Sequence, residues 1–206
     1  GARVNLVLRA EALPAARYLQ EQFGTPYFYG VPYGYNGTRG WLAGVGALLS
    51  RPVAQEVLDQ LQERESQAAT FRMYASMYQN KPHRPAAAIV GDYDMIQGMA
   101  AMCRDLDFET DLLLCPHTLK DIESPDPNVR HFTTEKEQLD ALRSLEYHLV
   151  LADDVSLHVC GKTNTGVCVS FPLVSHVQIA NHLPLMGIRG TDYLLETVDR
   201  YYQVLE

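Results

Sequence analysis

The clearest pattern along the chain lies between Ala86 and Leu114. It opens with a continuous apolar run, Ala86-Ala87-Ala88-Ile89-Val90, followed by the turn Gly91-Asp92-Tyr93-Asp94. Apolar positions then recur at helical spacing: Met95, Ile96, Met99, Met102, Cys103 and Leu106. A second run, Leu112-Leu113-Leu114, closes the stretch. Two continuous apolar runs joined by a helix predict buried parallel strands in a βαβ unit with a right-handed crossover. Asp92 or Asp94 is predicted to cap the helix and to face its positive end.

The same reading extends to both sides. Before the unit, the pattern predicts a strand over Val4–Leu8 and a helix over Ala10–Phe23. Leu13, Ala16, Tyr18, Leu19 and Phe23 form the apolar stripe of that helix, and Gly24 its C-cap. A short aromatic strand follows at Pro26–Tyr29, then a helix capped by Thr38 and running to Leu49. Pro52 suits the start of another helix, expected to reach about Tyr78, with Gln60–Gln67 as a solvated face. Lys81-Pro82-His83-Arg84-Pro85 then breaks the chain.

After the unit, Cys115–Asn128 reads as loop and Val129–Phe132 as a short strand. Thr133 or Thr134, with Glu137, should cap a helix ending near Leu145. Next come a strand at His148–Ala152, a short helix at Val155–Cys160, and a strand at Gly166–Phe171 stopped by Pro172. Ser175–Met186 has no clear period, and a final helix starts at Gly190. Its apolar side carries Tyr193, Leu194, Val198, Tyr201, Tyr202 and Leu205. The alternation predicts an α/β fold of Rossmann-like, doubly wound parallel sheets in two lobes. Residues 1–80 would form a partial α/β lobe with a long connecting helix. Residues 81–206 would form a Rossmann-like lobe closed by the C-terminal helix.

Composition narrows the function classes. The net charge of −8, without a basic run, argues against a nucleic-acid partner. With no apolar stretch of membrane-spanning length and no signal-peptide pattern, the expected location is the cytoplasm. A core-like strand so close to Gly1 points to a portion of a longer polypeptide. Cys103, Cys115, Cys160 and Cys168 form no C-x-x-C pair and have no histidine at finger spacing. Together they read as free thiols in a reducing compartment and not as one four-cysteine metal site.

Parallel α/β sheets bind ligands beyond the carboxyl ends of their strands. That rule selects Tyr33, Gly34, Asp92, Tyr93, Cys115, His117 and Phe171 as candidate cofactor-contacting residues, with Asp153, Asp154 and Pro172 beside them. The Gly91 turn lacks a G-x-G-x-x-G pattern and places two carboxylates where a phosphate would sit, so it reads as a structural turn. Cys115 and His117 are the best local pair for a reactive thiol or a soft-metal ligand. His176 and His182 read as loop residues. No catalytic constellation is recognisable from spacing.

Three ordered stretches carry a resemblance. Phe23-Gly24-Thr25-Pro26-Tyr27, continued by Val31-Pro32-Tyr33-Gly34 and Gly37-Thr38, resembles the FG-x-P-Y … P-x-G … T passage of nitrogenase component 1 proteins. Val90-Gly91-Asp92-Tyr93-Asp94 with Gly98 resembles their GD-x-D … G turn. Ser170-Phe171-Pro172, followed by Gly187-Ile188-Arg189-Gly190, resembles their C-terminal passage, closest to the β-type chains of the molybdenum–iron protein and of its cofactor-assembly scaffold. The resemblance implies the C-terminal portion of an oxidoreductase subunit that acts with a paired homologous chain and an ATP-dependent iron–sulfur reductase. It further implies electron transfer to, or assembly of, a metal cofactor, or reduction of a bound substrate. An iron–sulfur or related cluster would belong to the full complex. None is expected in this portion, because Arg9 and Phe171 stand where the α-type chain has its cofactor cysteine and histidine, and neither side chain ligates iron. By itself the portion is expected to be inactive. Two rival readings stand beside this one: a tetrapyrrole (protochlorophyllide- or chlorin-type) reductase subunit, and a non-catalytic flavodoxin-like scaffold or binding module.

Overall fold

A computed structural model of the chain describes residues 1–69, 73, 77, 85–120, 122–172, 174 and 185–205. The run Ala86–Val90 forms strand β3 of the chain, and all five of its residues are buried. β3 sits at the centre of a five-stranded parallel sheet. Its neighbours are β4 (Glu109–Leu114) on one side and β6 (His148–Asp153) on the other. β5 (Val129–Arg130) and β7 (Thr165–Ser170) lie at the edges, giving the order β5-β4-β3-β6-β7. The chain starts in the middle, steps outward twice, then returns across β3 and steps outward the other way. That is a doubly wound Rossmann order, with its switch point between β3 and β6.

Alternation along β3 splits the core into two layers. Ala87 and Ile89 face a cluster built with helices α2 (Gly34–Leu48), α3 (Gln55–Gln67), α4 (Tyr93–Asp105) and α7 (Gly187–Leu205). Its inward residues include Tyr35, Leu61, Met99, Leu194 and Val198. Ala88 and Val90 face the other cluster, with Leu142 of α5 (Glu135–Arg143) and Leu157 of α6 (Asp154–Val159). A second sheet is far smaller. β1 (Asn5–Val7) and β2 (Tyr27–Tyr29) pair in parallel, and α1 (Leu13–Phe23) packs beside them after a 3₁₀ turn at Ala10–Ala12.

Several local expectations hold. Gly24 ends α1 in the left-handed conformation, at φ 67°. Thr134 caps α5 by accepting the Glu137 backbone N–H at 3.3 Å. Others do not. Asp92 is the N-cap of α4 by its backbone, but its carboxylate makes no capping bond, and the carboxylate of Asp94 is turned toward the small sheet. Helix α2 starts at Gly34, four residues before Thr38, whose hydroxyl instead donates to the Gly34 carbonyl at 2.6 Å. α3 starts at Gln55, after Pro52. The stretch Gln60–Gln67 is not a fully solvated face, because Leu61 is among the most buried side chains described. α7 opens at Gly187, earlier than expected. Of the stripe on α1, Ala16 is buried and Leu13 half-buried. Tyr18 is 58% exposed and Phe23 70%, since among the described residues α1 has only two strands to pack on. Residues 81–84, His176 and His182 lie outside the described residues, as does most of the stretch from Gln67 to Tyr78.

Candidate functional site

The carboxyl ends of the two sheets meet. β1 leads into Arg9 and the 3₁₀ turn, β2 ends at Tyr29, and β3 ends at the Gly91-Asp92-Tyr93-Asp94 turn. Across this joint the Arg9 guanidinium donates through Nη1 to Asp92 Oδ2 at 2.5 Å. It also grips Glu11, through Nε at 3.3 Å and Nη2 at 3.1 Å. His117 Nε2 stands 3.5 Å from the other Asp92 oxygen. Two residues further on, in α4, Asp94 is 5% exposed and takes two donors from the β1–α1–β2 unit. Its Oδ2 accepts the Ala10 backbone N–H at 2.7 Å, and its Oδ1 accepts the Tyr29 hydroxyl.

The electrostatics follow from these contacts. Hydrogen bonding from Arg9 holds the Glu11 carboxyl below its usual range despite partial burial. Burial first, and then the hydrogen bond to Asp94, push the Tyr29 hydroxyl well above its ordinary value. Burial also raises Tyr33 to about 12, helped by the charges of Asp92 and Asp94. Both phenols stay protonated near neutral pH, so Tyr29 remains a donor.

Of the candidate residues, Tyr33, Asp92, Cys115 and His117 share this neighbourhood: the charge of Asp92 is felt at both Tyr33 and Cys115. Tyr33 is buried with its ring against Gly98, where a Cβ would meet Cδ2 at 2.4 Å. Tyr93 uses its hydroxyl oxygen to accept the Asp126 backbone N–H at 2.9 Å, which pins the loop after β4. Cys115 is buried, and burial raises its thiol pKa. Its carbonyl accepts from His131 Nδ1 at 3.0 Å. His117, by contrast, is 65% exposed and turned to Asp92. The pair is therefore a sheltered thiol beside a solvated imidazole. Gly34 instead lines a cavity of about 70 Å³ bounded by Met102, Asp105, Thr191 and Leu195. Phe171 stands beyond the end of β7, 82% exposed. Asp153 caps α6, and the fully buried Asp154 accepts the Val174 N–H at 2.8 Å. Pattern reading missed Tyr29 and Glu11 as parts of the joint, and it took Arg9 and Asp94 for something else. The available signal was weak: a tyrosine ending an aromatic strand, and a second carboxylate in a turn that needs only one cap.

A sequence model of the family described as "Nitrogenase component 1 type Oxidoreductase" matches residues 1–202. The chain belongs to that family. It is 34% identical over 102 residues to the nitrogenase vanadium-iron protein beta chain of Trichormus variabilis, a match covering 48% of this chain and 20% of that one. A solved nitrogenase structure, Cp1 at pH 6.5, superposes on 98% of this chain with a TM-score of 0.73. At 14% identity that likeness speaks for the fold, and it covers 45% of the nitrogenase chain. The chain thus spans less than half the length of either relative.

Nitrogenase component 1 proteins are associated with metal clusters, which makes the donors at the joint worth testing. Iron–sulfur clusters require thiolates. Burial pushes Cys103 to about 12 and Cys160 to about 11, and it raises Cys115 and Cys168 as well. Asp92 and Asp94 are already taken by Arg9, Tyr29 and Ala10. Among the described residues, no three His, Cys, Asp or Glu side chains are grouped to hold a metal ion. These residues do not fit an iron–sulfur cluster.

Proposed function

We propose that this chain forms part of a subunit of a nitrogenase component 1-like oxidoreductase, serving electron transfer to a metal cofactor, its assembly, or reduction of a bound substrate. In this reading the redox centre is held by other residues of a larger complex. Here the carboxyl-end crevice serves as a structural joint between the β1–α1–β2 unit and the five-stranded sheet with its covering helices. A paired homologous chain and an ATP-dependent iron–sulfur reductase are the partners it calls for, in the cytoplasm. The observation that carries the reading is the family match along residues 1–202. The Arg9–Asp92 pair and the Asp94 contacts, which fill the place where a ligand would otherwise sit, support the assignment of the cluster elsewhere. Among the described residues, the charged groups Arg9, Glu11, Asp92 and Asp94 at the joint do not favour an apolar tetrapyrrole there. The exposed Tyr18 and Phe23 favour a scaffold role as the second reading.

The test compares the full-length parent protein, purified anaerobically with its gene neighbours co-expressed, with this chain alone. Iron and sulfide are quantified and the reduced-state EPR spectrum is recorded. Cluster signal in the parent and none in the chain supports the proposal. Stoichiometric iron in the chain overturns it by making a thiol such as Cys115 a ligand. No iron in either puts the scaffold reading ahead.

A further inference from the structure

The unit of β1, α1 and β2 docks against the five-stranded sheet and its helices. Its described attachments to the rest of the chain differ in kind. The Phe28 ring sits edge-on to Trp41 of α2, with ring centroids 6.2 Å apart, and lies against Gly44. Arg9–Asp92 and Arg17–Glu123 are pairs between partly exposed side chains, which contribute little in water. Asp94 is the exception. It is a buried carboxylate projecting from the large lobe, and both of its partners, the Ala10 N–H and the Tyr29 hydroxyl, come from the small one. Removing either side of such a contact strands a buried polar group. Ala10 follows β1 and Tyr29 ends β2, so this one side chain secures both strands.

We propose that Asp94 is a latch: it docks the β1–α1–β2 unit onto the five-stranded sheet, and releasing it lets that unit open as one cooperative piece while the large sheet stays folded. Phe28 against α2 is the apolar hinge that remains. The inference stands on the joint's geometry and does not depend on the proposed redox role.

Hydrogen–deuterium exchange of the full-length parent protein, read by peptide mass spectrometry, tests it. In Asp94→Asn the amides of β1 and β2 are expected to exchange about tenfold faster or more, together, while those of β3 and β6 keep their wild-type protection. Tyr29→Phe should give a smaller change confined to the same peptides, and Arg17→Ala none. Unchanged exchange in β1 and β2, or equal acceleration in β3 and β6, overturns the latch. If Asp94→Asn does not fold, Tyr29→Phe decides on the same criteria.

Discussion

The two sheets are built on one principle, parallel strands with helical cover, yet they differ in what holds them. The five-stranded sheet is covered on both faces, and Ala87, Ile89, Val90, Leu149 and Leu151 are closed off from solvent. The two-stranded sheet leaves Leu6 and Leu8 exposed and is contacted by the Asp94 carboxylate, which reaches across from α4. One is held by apolar burial, which tolerates small shifts. The other adds to its apolar contact at Phe28 a set of directed polar contacts, which do not.

Substitutions can sharpen or break this contrast. The largest effect is expected at the centre of the large sheet: Ile89→Ala should cost about 2–5 kcal/mol in urea unfolding. A loss comparable to that of an exposed site would abolish the distinction. Gly98→Ala forces a Cβ into the Tyr33 ring and should cost about 1–3 kcal/mol by the same assay. Thr134→Ala removes the α5 cap, a loss of roughly 0.5–2 kcal/mol measurable as a lower unfolding midpoint.

Alkaline pH weakens the core beside the five-stranded sheet by a separate route. The Cys103 thiol is raised to about 12 by burial, whereas an unfolded thiol ionises near ~8.5. Its contribution is fully present below the unfolded value and fades as pH rises toward the folded one. Unfolding free energy should therefore fall through that window, and Cys103→Ala should flatten the slope. The smallest effect is expected on the small sheet's open side, where Leu6→Ser should stay within about 0.5 kcal/mol.

What could be read in the sequence follows the same division. The β3–α4–β4 unit was legible because its apolar run and helical stripe are signals within one short window. Gly24 and Thr134 were legible because caps are local chemistry. The role of Asp94 was not: its partners Ala10 and Tyr29 lie far back along the chain, and a window around Gly91 offers only the helix it starts. The stripe of α1 is apolar as its spacing predicts, yet it is largely exposed. Periodicity specifies a face without specifying what covers it. Among the site candidates, the strand-end rule selects a rim, where Asp92 and His117 lie 3.5 Å apart. It did not separate that rim from Gly34, which serves a cavity among the helices.

The position of β3 bears on how the chain is made. Of the five strands it leaves the ribosome first, yet its second neighbour, β6, begins only at His148. At translation speeds of roughly 5–20 residues per second, one edge of Ala86–Val90 has no partner for a time on the order of seconds. The strand that is most protected in the finished protein is thus the one most in need of shelter during synthesis.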